Sequence, residues 1–239
     1  MTEWRNVGYL RKPDRTFEYT LTLPRPLADW DVWDYWEKER IHSMAAHLTH
    51  DDVLVDVGAE HGWMSLVFAS MVGPSNLVLV EPTDRFWPNI RQTWERNFGG
   101  VLPRAAWRGL FAADTTATNL DSTPWPAESV GPLIDKLAYT YIHEHPECPR
   151  VRVDAWVART GIVPTALTID VEGAEWEVLL GGHEVLDRYH PKLWVSVHPD
   201  LMLRDYGSDA EGFMEYLVKG FGYEATHLAT DHEQHFVFL

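Results

Sequence analysis

Two short stretches gather residues able to do chemistry. The first is Val53-Leu-Val-Asp-Val-Gly-Ala-Glu-His-Gly62, with Glu81 further on. The second is Leu167-Thr-Ile-Asp-Val-Glu-Gly-Ala-Glu-Trp-Glu177, with His198-Pro-Asp200 further on. Each begins as an apolar run and ends in an aspartate. In the first, Asp56 precedes Gly58 and Gly62 in an Asp-x-Gly-x-x-x-Gly spacing. A dinucleotide turn needs Gly-x-Gly-x-x-Gly, with a helix N-terminus facing pyrophosphate. A carboxylate before the first glycine would repel phosphate. It suits a ligand carrying an ammonium and a sulfonium instead. Gly58 lets the backbone approach such a ligand where a Cβ would collide, and Gly62 permits close packing as the next helix begins. The turn residues Ala59 and Glu60 are counted with them as ligand contacts. Glu81, at the end of the run Leu77–Val80, can accept both hydroxyls of a ribose.

The second stretch offers Asp170, Glu172 and, after the apolar run Leu193–Val197, His198. Ligands of open parallel sheets bind outside the carboxyl ends of the strands, so Asp170 and Glu172 face the same crevice as Asp56 and Glu81, and His198 ends a neighbouring strand. An imidazole has the intrinsic pKa of a base near neutrality. Two carboxylates and an imidazole also suit a divalent ion such as Mg²⁺ or Mn²⁺, with water and substrate completing its shell. Of the two solutions, base catalysis without a metal is preferred. Glu175 and Glu177 read as first-turn charges favoured by the helix dipole.

The elements that must carry these residues follow from periodicity. Strand 53–57, helix 63–72, strand 77–80, a helix beginning near Trp87 and a strand near 101–107 make half of a doubly wound sheet. Pro88 fits only in the first turn of its helix. A buried strand, 166–170, leads to a helix from about Ala174 to Tyr189, then to a strand, 193–197, and a helix, 210–220. Strands 223–228 and 234–239 flank Thr230-Asp-His-Glu, which reads as a hairpin turn. Upstream, 17–23 reads as a strand. From Asp29 to Leu48 the spacing of Trp30, Trp33, Trp36, Ile41, Met44 and Leu48 is helical. Asp154 is expected to cap a helix. Residues 111–150 lack clear periodicity, and such insertions often shape a substrate site. His143-Glu-His145, within them, reads as a solvated turn.

At 239 residues and 45% hydrophobic, the chain can bury one sizeable core. Its net charge of −16, with no run of lysine or arginine, argues against a phosphate-tracking surface, so nucleic acid is not an expected partner. The single cysteine, Cys148, excludes an intramolecular disulfide framework and a thiolate zinc cluster. No apolar run approaches membrane-spanning length, and the N-terminus is unlike a signal peptide. A cytoplasmic setting without membrane contact is expected; the oligomeric state is not legible.

Asp56-x-Gly58-x-x-x-Gly62 with Glu81 resembles motifs I and II of class I S-adenosylmethionine-dependent methyltransferases. Ile169-Asp-Val-Glu-Gly-Ala-Glu175, with Val178-Leu-x-Gly181 after it and Val55-Asp-Val-Gly-Ala59 upstream, resembles the signature of the FkbM family among them. The resemblance covers about residues 50–100 and 150–200. It implies a Rossmann-like α/β fold, with a seven-stranded, mostly parallel sheet, helices on both faces and a C-terminal antiparallel hairpin. Residues 51–239 would form the methyltransferase domain, with 111–150 a substrate-shaping insertion. Residues 1–50 would be an N-terminal extension whose helix covers the cofactor, so that Trp36 or Glu37 comes near it. The segment after the third strand, Ala105 to Trp107, would contact the adenine, which makes Ala106 and Trp107 cofactor residues.

The implied activity is S-adenosylmethionine-dependent O-methylation of a hydroxyl on a saccharide or secondary metabolite. Asp170, Glu172 and His198 would serve that small-molecule acceptor. Ser196 stands where the family usually has a glutamate two residues before the histidine. Two other readings stay open: methylation of a nitrogen or carboxylate on a small molecule, and a non-catalytic module that binds the cofactor and regulates a partner.

Overall fold

The computed structural model describes residues 3–9, 19–28, 37–118, 148–231 and 233–239. Its centre is β3 (Leu54–Val57), the apolar run that opens the first stretch. On one side β3 pairs in parallel with β4 (Leu77–Val80), and β4 with β5 (Ala105–Trp107). On the other it pairs in parallel with β8 (Ala166–Ile169), and β8 with β9 (Lys192–Val197). The terminal hairpin, β10 (Ala225–Thr230) and β11 (Gln234–Phe238), adds β11 antiparallel to β9. The sheet is therefore seven-stranded, in the order β10-β11-β9-β8-β3-β4-β5. A separate parallel pair joins β6 (Leu110–Phe111) to β7 (Arg150–Val151).

Strand side chains alternate between faces, and here the alternation sorts function from packing. Val55, Val57, Val78, Val80, Leu167, Ile169, Val195 and Val197 belong to one apolar cluster. Leu54, Leu77, Leu79, Ala166 and Trp194 belong to the other. The polar residues Asp56, Glu81, Thr168, Asp170, Ser196 and His198 all keep the parity of this second set. Over that face lie α2 (Lys38–His47), α3 (Trp63–Val72) and α4 (Trp87–Phe98). The opposite face carries α5 (Val153–Thr160), α6 (Glu175–Gly181), α7 (His183–Tyr189) and α8 (Ala210–Glu215), the last continuing as a π-turn, Tyr216–Gly220.

The structure departs from expectation at three places. The helix expected over 174–189 breaks at Gly182 into α6 and α7. A Cβ on Gly181 would lie 2.0 Å from the carbonyl oxygen of Ala112, so the break sits where another segment crosses closely. Asp154 does not cap its own helix, whose N-cap is the extended Arg152. Its Oδ1 instead accepts from the backbone N–H of Val185 in the first turn of α7, at 3.0 Å. Finally, the strand expected at 17–23 is β2 (Tyr19–Pro24), and it pairs antiparallel with β1 (Trp4–Tyr9), which periodicity did not disclose. A single helical turn, α1 (Arg25–Ala28), follows. Leu21 and Leu23 reach the same core as Ile41, Met44 and Leu48. The Asn97 side chain ties β2 to α4 by bonding both the N–H and the C=O of Thr22.

Trp30, Trp33 and Trp36, most of the 111–150 insertion and its His143-Glu-His145 lie outside the described residues. No helix among the described residues is long and apolar enough to cross a membrane.

Candidate active site

The ends of β3, β4 and β8 open into a pocket of about 930 Å³, its mouth included. Its wall contains Asp56, Gly58, Ala59, Glu60, Glu81, Asp170 and Glu172. The turn after β3 is built by close approach. Gly58 has φ +95°, and a Cβ there would stand 1.9 Å from the carbonyl oxygen of Asp170, so only glycine fits. The N–H groups of Gly58 and Ala59 both reach the Val80 carbonyl at 3.0 Å. Glu81 braces the turn from beneath: Oε2 accepts from Glu60 N–H at 2.8 Å and Oε1 from Thr83 N–H at 2.7 Å. Each carboxylate oxygen keeps a further lone pair for a ligand hydroxyl. Asp56 accepts from the Ser65 hydroxyl at 2.5 Å. Trp63, Met64, Phe86 and Leu110 supply apolar wall.

At the other end, α2 brings Arg40 over the strand ends, 3% exposed. Its guanidinium pairs with Glu37, donates to Ser196 Oγ at 2.8 Å and reaches Asp170 Oδ2 at 3.2 Å. His198 lies behind the wall, its ring between two carboxylates. Nδ1 is 2.8 Å from Glu175 Oε1, and Nε2 is 2.6 Å from Glu233 Oε2. Asp170 and Glu172 stand farther off, at 3.9 and 3.8 Å from Nε2. Glu175 is a first-turn residue of α6, as its position implied. It is also fully buried, where it accepts from Gly173 N–H and positions the imidazole. Glu233 comes from the hairpin turn, lines the pocket and is 3% exposed.

The profile of the methyltransferase FkbM domain matches residues 56–225, well over half of the chain. The chain belongs to the FkbM methyltransferase family. It carries the methyltransferase FkbM domain on a class I methyltransferase fold. The FkbM methyltransferase from Methylobacillus flagellatus KT superposes with a TM-score of 0.56 at 14% identity, over 81% of this chain and 44% of that one. This chain therefore spans less than half the length of that protein. TYW2 from M. jannaschii, solved in complex with AdoMet, gives a TM-score of 0.46 at 13% identity, over 98% of this chain and 84% of that one. Fibrillarin from Aeropyrum pernix, solved with natively bound S-adenosyl-L-methionine, gives 0.46 at 12%, over 100% and 99%. No curated protein matches the chain.

Three residues expected at the cofactor are not among those lining this pocket. Ala106 and Trp107 are buried in the core on opposite faces of the sheet. The Trp107 carbonyl accepts from Glu81 N–H at 3.1 Å, so Trp107 supports the wall rather than forming it. Gly62 packs on α4, where an added Cβ would meet Ile90 at 3.0 Å. The residues missed by sequence reading are Arg40, Glu175 and Glu233. Glu37 and Arg40 share an i, i+3 spacing at the start of α2, and Glu233 sits in the hairpin turn just before β11. Nothing local in either pattern points to Asp170 or His198.

Crowded acids define the electrostatics. Burial pushes Asp56 up to about 6, against the pull of Ser65 and Arg40. Burial raises Glu81 to about 7, although the Thr83 and Glu60 amides oppose it. Glu172 rises to about 7 by burial, with His198 opposing. Glu60 rises to about 8 by burial and by the charges of Glu81, Asp170 and Glu172. Burial raises Glu233 as well. His198 behaves oppositely. Burial disfavours its charge, but Glu175, Glu233 and Asp170 outweigh that and raise it to about 11. Without ligands, His198 is an imidazolium near neutral pH. That direction favours a donor over an acceptor at this imidazole and counts against a simple base role.

Proposed function

We propose that the protein transfers a methyl group from S-adenosylmethionine to a hydroxyl of a saccharide or secondary metabolite. The observation that carries this reading is the placement of Asp170, Glu172 and Glu233 beside the Asp56–Glu81 half of one pocket. The Asp56–Glu81 half fits the cofactor. Glu60 Oε1 is buried without a hydrogen-bond partner, and the wall holds a surplus of carboxylates, which suits a ligand bearing two cations. When bound, S-adenosylmethionine supplies an electrophilic methyl group.

The chain's own residues would do the rest. Glu81 would take the ribose hydroxyls, Asp56 and Glu60 would face cationic groups, and the Gly58–Ala59 backbone would close on the ligand. Trp63, Met64 and Phe86 would limit water. A sugar hydroxyl is a poor nucleophile and needs its proton taken as it attacks. Asp170, Glu172 and His198 remain the acceptor-side residues of this reading, with divided work. The carboxylates receive the proton; the His198 imidazolium holds them in place and balances their charge.

Calorimetric titration with S-adenosylhomocysteine tests the cofactor half, and binding should be lost in an Asp56→Ala, Glu81→Ala double variant. Labelled methyl transfer to a panel of hydroxyl, amine and carboxylate compounds tests the acceptor half. An ether product is expected. An N-methyl product would overturn O-methylation, and absence of wild-type binding would overturn the whole reading.

A further inference from the structure

We propose that Asp170, His198 and Glu233 form a divalent-cation site, of the Mn²⁺ or Mg²⁺ class, at the acceptor end of the pocket. One donor atom from each lies within 4.8 Å of the others. The three arrive from different parts of the chain: the end of β8, the end of β9 and the β10–β11 turn. Their atoms are already sorted. Asp170 gives Oδ2 to Arg40, leaving Oδ1 toward His198 Nε2 at 3.9 Å.

His198 is 6% exposed, and its Nε2 stands 2.6 Å from Glu233 Oε2. Its other nitrogen, Nδ1, sits 2.8 Å from the fully buried Glu175. A carboxylate behind the imidazole is the usual support of a metal-binding histidine, because it holds the proton on Nδ1 and turns the Nε2 lone pair to the ion. A proton and a metal ion compete for the same space, and one ion there would neutralise acids that burial disfavours. Glu233 replaces Glu172 in the ligand set expected from sequence. It is nearer to Nε2 and more deeply buried than Glu172, whose Oε2 stands 3.8 Å away.

Binding of the ion does not depend on the O-methylation reading. Its use does, since a bound cation would acidify the acceptor hydroxyl that Asp170 and Glu233 surround.

Manganese titration of the purified chain, read by electron paramagnetic resonance and calorimetry, tests the site. A single saturable class is expected, with Glu233→Gln and Asp170→Asn weakening it at least ~10-fold. Glu175→Gln should weaken it ~10-fold through the imidazole. Glu95→Gln, on the exposed face of α4 and paired with Arg91, should stay within about 3-fold. In wild-type protein, Mn²⁺ should broaden the His198 imidazole resonances, a readout that needs no variant to fold. Unbroadened His198 signals at saturating Mn²⁺, wild-type protein without saturable binding, or a Glu233→Gln variant that binds normally would each overturn the proposal. S-adenosylhomocysteine titration of the same samples separates the two readings. Its binding without Mn²⁺ binding defeats the metal site alone, and the reverse defeats the cofactor reading alone.

Discussion

Arg40 is the residue on which the acceptor end depends. It is buried against Glu37 and pairs with the partly exposed Asp170, and their charges raise its pKa although burial opposes them. Removing one member of a buried ion pair leaves the other charged without compensation, which costs about 3–5 kcal/mol. Arg40→Met should therefore destabilise the protein by about that amount in urea denaturation. The same change should free Asp170 and Ser196 from their common donor. Arg40→Lys should recover only part of the loss, because a single ammonium cannot fork to Glu37, Ser196 and Asp170 together. If both variants unfold at the wild-type urea midpoint, the guanidinium is not the clasp described. Asp56, Glu81 and Asp170 were legible as pocket-lining residues because each ends an apolar run at the carboxyl edge of the sheet. Arg40 and Glu233 were not, since their partners lie on other elements far away in sequence.

At the scale of elements, the strands were legible where both faces are buried. Runs such as Leu77–Val80 and Ala166–Ile169 have no polar side to confuse their length, and the bounds read from sequence lie within a residue of those observed. Legibility failed where a contact between segments decided the local structure. The crossing of Ala112 at Gly181 breaks a continuous helical pattern, and Val185 borrows its cap from Asp154. The latter yields a prediction. Asp154→Ala should cost about 1 kcal/mol, the usual worth of a side-chain cap, although α5 itself loses none. Hydrogen exchange should then rise at Val185 and its α7 neighbours while α5 protection is unchanged. Loss confined to α5 would reverse the assignment. The Gly58 turn is the element-scale constraint on activity. Gly58→Ala places a methyl group against the Asp170 carbonyl and should abolish S-adenosylhomocysteine binding in the calorimeter, whereas an unchanged affinity would show that the turn can yield.

The whole molecule carries a net charge of −16 and concentrates buried acids at its pocket. Asp56, Glu81, Glu172 and Glu60 have folded pKa values of about 6, 7, 7 and 8, all above the ordinary carboxylate value near 4. A group whose pKa rises on folding binds protons more tightly in the native state. Its stabilising contribution is complete below the unfolded pKa and is lost as pH climbs through the folded one. His198 follows the same sign, losing its contribution as pH rises from its unfolded value toward about 11. His235, lowered to about 4 chiefly by burial and the Arg40 charge, has the opposite sign, but that effect is complete once the unfolded histidine has titrated. Between about pH 6.5 and 8.5 the pocket should therefore make the unliganded protein less stable as pH rises. A sulfonium ligand would relieve these acids by favouring their charged forms, expelling protons as it binds. S-adenosylhomocysteine, whose sulfur is neutral, should expel fewer. Calorimetry at pH 7 in two buffers of different ionisation enthalpy measures that proton count directly. Greater release with S-adenosylmethionine, together with a thermal midpoint that falls with pH in the apo protein and flattens with the cofactor, would locate the titrating acids in the pocket. Equal release by the two ligands would mean that the raised acids lie away from the sulfur, and the cofactor's positive charge would need another partner.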